Sequence, residues 1–148
     1  MSRFRRIFHP SDFSRASGAA FAKAVALAKR DHAPLVLAHV LAPQVPIAGE
    51  GYISPQVYED LEKSARRYAQ KQLGRLVGKA RRSGVRAAAM VLTGIPAAAI
   101  VRAARSRRAD VIVIGTHGRT GLAKFFLGSV ASRVIATARC PVLTVRGR

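Results

Sequence analysis

The residues best suited to chemistry are glycines near the C-terminus. Gly115 and Gly118 are followed, after nine further residues, by Gly128 and Ser129, so the pattern G-x2-G-x9-G-S begins at the end of the apolar run 111–114. Glycine lets a backbone turn sharply and approach a ligand without a Cβ in the way. A helix beginning near Gly128 would attract an anion through its free N–H groups and its dipole. The spacing predicts a loop that binds phosphate, in which the Ser129 hydroxyl either caps the helix or bonds a phosphate oxygen; the alternative is a structural loop followed by a helix cap.

A second polar group, His9-Pro10-Ser11-Asp12, follows the first apolar run of the chain. Ligands of open parallel sheets bind beyond the carboxyl ends of the strands, where the strand order reverses. We therefore favour a ligand role for Asp12 over the alternative, in which it only caps the following helix. His9 and His39 are expected to pack or to line the end of the sheet. The four histidines and Cys140 lack the spacing of metal ligands, so no structural zinc site is expected and Cys140 is interpreted as a packing thiol.

Five short apolar runs alternate with four helical stretches. Strands are predicted at 4–9, 33–41, 85–92, 111–114 and 141–145, and helices at 14–30, 57–82, 97–107 and 129–138. The run 33–41 is nearly all apolar, which is typical of a parallel strand buried on both faces, and the run 111–114 is β-branched throughout. The apolar stripe predicted for the long helix consists of Leu61, Ala65, Tyr68, Leu76 and Ala80. The alternation predicts an α/β fold, a single parallel sheet with helices on both faces.

The chain has 148 residues, 49% of them hydrophobic, and is expected to form a single domain, 1–148. It contains no apolar run of about 18 residues, so no membrane-spanning helix is expected. One cysteine forms no intrachain disulfide, and no signal-peptide pattern follows the basic N-terminus. These features predict a cytoplasmic protein.

Four segments together resemble the universal stress protein family. They are HPSDFS at 9–14, DVIVIGTHGRTGL at 110–122, LGSVA at 127–131 and CPVLTV at 140–145. The resemblance extends over essentially the whole chain, and the glycine spacing marks the ATP-binding branch of the family. It implies a Rossmann-like sheet of five parallel strands in the order 3-2-1-4-5, as in adenine nucleotide alpha-hydrolase-like folds. It also implies a homodimer formed through the last strand and a role in stress resistance or its regulation.

The resemblance also implies which residues hold a nucleotide. Pro10, Ser11 and Asp12 would border the adenine and the ribose, and Val40 would meet the adenine through its backbone. The ribose and the phosphates would be held by Gly115, His117, Gly118, Gly128, Ser129 and Val130. The implied ligand is ATP, or AMP or ADP, with a magnesium or manganese ion bound through the phosphates.

The charge balance is strongly basic, with 26 lysines and arginines against 7 acids and a formal net charge of +19. Such a surface attracts anions over a long range. Eight of these cations lie on the predicted helix 57–82: Lys63, Arg66, Arg67, Lys71, Arg75, Lys79, Arg81 and Arg82. We interpret this face as a surface for an acidic partner; the alternative is a merely solvated face.

The function favoured by the glycine spacing is a nucleotide-dependent regulatory module. A slow ATPase is a weaker hypothesis, because the chain lacks a G-x-x-x-x-G-K-[ST] loop and only Asp12 and His117 are candidates for activating water. A nucleic-acid-binding protein would explain the charge, but no recognition-helix, RNP or zinc-finger motif accompanies it.

Overall fold

The computed structural model describes residues 3–43, 51, 53–116 and 127–147. Strands and helices alternate along these residues as the sequence predicts. The elements are β1 (Ile7–Pro10), α1 (Arg15–Asp31), β2 (Leu35–Leu41), α2 (Pro55–Arg82), β3 (Ala87–Thr93), α3 (Pro96–Ser106), β4 (Val111–Gly115), α4 (Ser129–Thr137) and β5 (Val142–Val145). In the part of the chain described, no helix is both long and apolar enough to cross a membrane.

The five strands form one parallel sheet in the order β3-β2-β1-β4-β5. Ile7 of the central strand β1 is in register with Leu35 of β2 on one side and with Val111 of β4 on the other. The strand order reverses at β1, so the connections that leave β1 and β4 diverge and open a crevice at their carboxyl ends. The predicted α/β class and the strand order implied by the resemblance are confirmed.

A hydrophobic core lies on each face of the sheet. Helices α1 and α2 cover one face, where Phe21 and Leu73 pack with Ile7 and Leu37. Helices α3 and α4 cover the other, where Ile100 and Val134 are in the same cluster as Phe8, Ile112 and Ala38. Successive residues of a strand point to opposite faces, so β1 and β4 contribute to both cores and hold the crevice between them.

The first strand begins later than predicted, at Ile7 instead of residue 4. The N–H groups before it donate to side chains, and the Arg6 carbonyl accepts from the Asp110 N–H directly before β4. The Phe4 N–H donates to the Asp31 carboxylate at 3.0 Å, and the N–H groups of Arg5 and Arg6 donate to the Asp110 carboxylate at 2.6 and 3.0 Å. Two carboxylates thus hold the chain where it enters the sheet.

The predicted apolar stripe of α2 is wrong in its first half. Leu61 and Tyr68 are exposed, at 46% and 52%, while the buried residues of the helix are Ala69, Leu73 and Ala80. The helix has 28 residues, about 42 Å, whereas a seven-residue strand such as β2 measures about 23 Å. Only the second half of α2 therefore has a sheet to pack against.

Candidate functional site

The turn between β1 and α1 is held by hydrogen bonds between side chains and backbone. The Ser11 N–H extends the sheet pairing by donating to the Ala38 carbonyl at 2.8 Å. Asp12 Oδ1 accepts from the Ser14 N–H at 2.9 Å and from the Ser17 hydroxyl at 2.7 Å. The N-cap of α1 is Ser14, whose side chain accepts from the Ser17 N–H. Asp12 is therefore not the cap of the helix, and it stabilises the turn in front of it.

Phe13 adopts the left-handed backbone conformation within this turn, with a φ of 64°. This conformation costs a residue with a Cβ roughly 1–2 kcal/mol. The Phe13 N–H donates to Ser11 Oγ at 3.1 Å, and its ring stacks on His39 with the ring centroids 4.4 Å apart. His39 Nδ1 donates to the Ser11 carbonyl at 2.7 Å, since a carbonyl oxygen only accepts. These contacts join the turn to β2.

Gly115 ends β4 against the first turn of α1. A Cβ at this position would lie 2.8 Å from the carbonyl carbon of Ala16 and 3.0 Å from the Ser17 nitrogen. Backbone atoms do not tolerate so close an approach, so a side chain here would push α1 away from β4. The sequence predicted that the missing Cβ leaves room for a ligand, but that space is occupied by the backbone of α1. Gly115 thus brings α1 close to β4.

The N-terminus of α4 lies beside the end of β4. The N-cap is Gly128, whose N–H donates to the Thr116 carbonyl, and no side chain of the described residues caps the helix. Ser129 is the first helical residue, so the capping alternative for its hydroxyl is wrong. The N–H groups of a first helical turn have no partners within their own helix. A helix start of this kind, without a capping side chain, is suited to an anion.

These parts surround a cavity of about 230 Å³ beyond the carboxyl ends of β1, β2 and β4. Its apolar lining consists of Pro10, Val40, Pro96, Ile100, Ile114, Val130 and Ala131. Its polar lining consists of Ser11, Asp12, Ser17, His39, Thr116 and Ser129, and Gly115 and Gly128 complete it. An apolar cavity with a few convergent polar groups is typical of small-molecule sites.

The cavity brings together residues that the resemblance implies for nucleotide binding. Pro10, Ser11, Asp12, Val40, Gly115, Gly128, Ser129 and Val130 all line it. His117 and Gly118 lie outside the described residues. The two halves of the implied site, more than a hundred residues apart in sequence, thus face one space. Their contacts with a ligand stay a prediction.

Six further lining residues were not predicted as part of the site: Ser17, Pro96, Ile100, Ile114, Thr116 and Ala131. Thr116 is buried, and its N–H donates to the Val145 carbonyl; its position inside the glycine pattern was an available signal. Ser17 lies three residues after the N-cap of α1, within reach of Asp12. Pro96 and Ile100 carried no signal, because only the packing of α3 over the sheet turns them towards the cavity.

His9 lies directly before this lining in β1 and is completely buried. Its Nδ1 donates to the Val113 carbonyl at 2.8 Å, and its Nε2 has no hydrogen-bond partner among the described residues. Burial lowers the pKa of His9 to about 4, against the opposing effects of the Val113 hydrogen bond and the Asp12 charge. At neutral pH the ring is uncharged and packs near Phe21, as the sequence predicted.

The described residues contain no group of three or more His, Cys, Asp or Glu side chains placed to hold a metal ion. Asp12 is the one carboxylate among the residues named above as lining the cavity, and two donors already bond its Oδ1. A divalent ion at this site would therefore take most of its ligands from bound phosphates and water, as magnesium commonly does.

Comparison with known proteins agrees with this architecture. The sequence profile of the universal stress protein family matches residues 3–146. Universal stress protein MJ0531 of Methanocaldococcus jannaschii is 37% identical over 145 residues, which cover 97% of this chain and 82% of that protein.

Solved structures have the same fold. Protein MJ0577 of Methanocaldococcus jannaschii superposes with a TM-score of 0.86 at 25% identity, covering 99% of both chains. A universal stress protein family protein of Arabidopsis thaliana, solved with AMP bound, superposes with a TM-score of 0.69 at 24% identity, covering 97% of this chain and 92% of that one. From the profile match and the identity to MJ0531, we conclude that the chain belongs to the universal stress protein family.

Proposed function

We propose that the protein binds ATP and acts as a nucleotide-dependent regulatory module in a stress response. The observation that carries the proposal is the cavity, which is lined by eight of the ten residues that the resemblance implies and by the start of α4, where no side chain of the described residues forms a cap. AMP is bound in the solved structure of the Arabidopsis thaliana relative, and this supports an adenine nucleotide as the ligand.

The lining divides naturally between the parts of an adenine nucleotide. In the proposed complex the adenine ring packs against the apolar lining residues Pro10, Val40 and Ile100, and the ribose is directed towards Asp12, which also lines the cavity. The phosphates extend towards the N-terminus of α4, where Ser129 and Val130 are its first residues. A helix dipole contributes about 0.3–1 kcal/mol, while micromolar binding needs about 8 kcal/mol. Affinity therefore depends on burial of the ring and on several N–H groups acting together.

The proposal is for binding and not for rapid hydrolysis. Hydrolysis needs a group that orients or deprotonates water, and Asp12 Oδ1 is engaged by the Ser14 N–H and the Ser17 hydroxyl. A magnesium or manganese ion would accompany the phosphates.

The proposal extends to how the module works in the cell. It acts in the cytoplasm as a single domain that forms a homodimer through β5, and the basic face of α2 receives an acidic partner. Binding of nucleotide between the β1–α1 turn and α4 changes the affinity of β5 and of the basic face of α2 for their partners.

The first experiment is to denature freshly purified protein and to identify released nucleotide by mass spectrometry. We expect an adenine nucleotide from the wild type and from Gly74→Val, because Gly74 lies on α2 away from the cavity. We expect none from Gly128→Val, whose new side chain would stand at the cavity and at the start of α4. Circular dichroism then verifies that both variants are folded.

If the purified protein contains no nucleotide, calorimetric titration measures its affinity for added ATP. GTP is the control ligand, because a protein with a charge of +19 attracts any polyanion and GTP carries the same charge as ATP. We expect ATP to bind more tightly than GTP. Removal of divalent ions with EDTA should lower the affinity for ATP. Absence of ATP binding below millimolar concentration, or equal binding of GTP and ATP, would contradict the proposal.

A further inference from the structure

Half of the lysines and arginines lie at one end of the molecule, opposite the cavity. All five strands run in the same direction, so every segment that leads into a strand meets the same edge of the sheet. We call this surface the basic end. It carries thirteen cations: Arg3, Arg5, Arg6, Lys29, Arg30, Lys79, Arg81, Arg82, Arg86, Arg105, Arg107, Arg108 and Arg139. All but Arg6 are exposed.

Local acids and helix dipoles neutralise only a small part of this charge. Asp31 and Asp110 lie at the basic end, and both are occupied: Asp31 by Arg30 at 2.6 Å and by the Phe4 N–H, and Asp110 by two backbone N–H groups. All four helices end here, and each C-terminus adds about half a negative charge. After these contributions roughly nine positive charges remain.

Most of these side chains have no partner in the part of the chain that the structure describes. Only four form hydrogen bonds or ion pairs there: Arg6 with the Arg107 carbonyl, Arg30 with Asp31, Arg81 with the Ala87 carbonyl and Arg86 with the His32 carbonyl. An open cavity of about 600 Å³ lies among them, with Arg3, Arg5, His32 and Arg86 in its lining. The other nine cations are available to an external anion.

The basic end offers little for an apolar partner. The exposed large hydrophobic residues are Ile53, Val57, Leu61, Tyr68, Ile95, Leu127, Ile135 and Leu143, and of these described residues only Ile135, in the last turn of α4, lies near this end. Protein interfaces and membrane-surface helices depend on buried apolar anchors. Eleven of the thirteen cations are arginines, whose planar guanidinium groups bond phosphate oxygens in pairs. The surface therefore suits a phosphate backbone better than a protein or a lipid surface.

We propose that the basic end binds the phosphate backbone of duplex DNA without reading its sequence. Five strands about 4.8 Å apart make this edge about 20 Å wide. Duplex DNA carries one negative charge per 1.7 Å or so, hence about twelve phosphates over that width. This number is comparable to the excess positive charge of the surface. The nucleotide cavity, at the opposite end of the strands, stays accessible while DNA is bound.

The test is fluorescence anisotropy with a labelled 20-base-pair duplex at increasing salt. The variant carries Arg5→Gln, Arg82→Gln and Arg108→Gly, three cations that have no side-chain partner among the described residues. Arg108 adopts a left-handed conformation, with a φ of 54°, so glycine there relieves strain while it removes charge. The matched control, Lys23→Gln, Arg67→Gln and Lys71→Gln, removes the same charge from exposed positions on α1 and α2.

For the wild type we expect affinity for the duplex to fall steeply with salt and to be insensitive to sequence. The basic-end variant should bind at least about tenfold more weakly at 100 mM salt, with a log–log salt slope smaller by about 2.7. The control should keep most of its affinity. Equal loss in the control would mean a diffuse charge effect. No wild-type binding, or tighter binding of a polyglutamate peptide, would also overturn the proposal, and the peptide result would assign the surface to an acidic protein.

Discussion

His9 has an unusually low pKa because its side chain is buried. The same imidazole at the surface would titrate near neutrality, but here burial removes the water that would solvate its charged form. Its Nδ1–H is committed to the Val113 carbonyl, and Nε2 faces the interior. A proton on this residue therefore has to be accommodated inside the core of the sheet, beside the turn that lines the cavity.

We expect stability to fall as the pH drops from about 6.5 to 4. The unfolded chain binds a proton on His9 near pH 6.5, whereas the folded chain does so only near 4, so protonation favours unfolding across this window. The loss approaches about 3 kcal/mol at the acidic end. Asp31, whose pKa is lowered to about 2 by its hydrogen bonds with Arg30 and the Phe4 N–H, adds a separate loss only as the pH falls from 3.8 to 2.

Urea unfolding between pH 7 and pH 4 measures this slope. His9→Asn keeps a donor for the Val113 carbonyl but is smaller than histidine, so its free energy of unfolding should be lower at pH 7. Because asparagine does not titrate, this free energy should also change much less with pH. His32→Asn is the control, because His32 is exposed in a left-handed position that asparagine tolerates. An unchanged pH slope in His9→Asn would contradict the assignment.

Sequence patterns located site residues more successfully than they explained them. The glycine spacing correctly placed Gly128 and Ser129 at a helix start, because cap positions have strong local signatures. It placed Gly115 at the cavity but missed why a side chain is excluded there, because the atoms that fill the space of its Cβ belong to Ala16, far away in the sequence. Contacts across such a distance exist only once the sheet has formed.

At the scale of elements, the order and type of strands and helices could be predicted, because each has its own periodicity and end signals. What could not be predicted is how far each element reaches beyond its neighbours. The first half of α2 extends past the sheet, so its periodic Leu61 and Tyr68 are 46% and 52% exposed, and the Tyr68 ring makes an edge contact with the Phe13 ring at 6.0 Å between centroids. The residues before β1 are hydrogen-bonded by Asp31 and Asp110, which no local pattern reveals.

The packing of α1 against the ends of β4 and β5 depends on two glycines. A Cβ on Gly115 would be 2.8 Å from Ala16, and a Cβ on Gly147 would be 2.9 Å from it. We expect Gly115→Ala and Gly147→Ala each to lower the free energy of unfolding by about 1–3 kcal/mol, because either α1 or the segment that carries the glycine must shift. Gly115→Ala should also lower the affinity for ATP, because α1 carries Ser17 and begins next to Asp12.

Thermal and urea unfolding of Gly18→Ala provide the matched control. Gly18 lies in α1 itself, two residues from Ala16, and a Cβ there meets no atom within 4 Å. Because alanine favours a helix over glycine, this change should raise stability by about 0.5–1 kcal/mol. Equal effects of all three substitutions would mean that the close approach to Ala16 is not what requires glycine.

At the scale of the whole molecule, parallel strands separate two kinds of binding surface. The carboxyl ends carry the cavity and the start of α4, while the amino ends collect half of the cations. The total charge was evident from composition, but its concentration at one end follows from the topology, because segments far apart in sequence meet there. A nucleotide and a polyanion would therefore bind at opposite ends without competing.

A homodimer through β5 requires hydrogen-bonding groups on the outer side of that strand. The carbonyls of Pro141 and Val145 accept from β4, so by alternation the N–H groups of Val142 and Thr144 point away from the sheet. Leu143 and Ile135 are exposed nearby, at 37% and 44%. An edge of this kind invites pairing with a second copy.

Thr144→Pro should convert the dimer into a monomer. Proline removes the outward N–H without breaking a hydrogen bond to β4, and edge strands tolerate proline in that orientation. Light scattering after size exclusion should give twice the 15.9 kDa chain mass for the wild type and for Thr144→Val, which keeps the N–H, but a single chain mass for Thr144→Pro. A folded Thr144→Pro protein that still has the double mass would place the dimer contact elsewhere, and a monomeric wild type would remove the dimer from the proposed function.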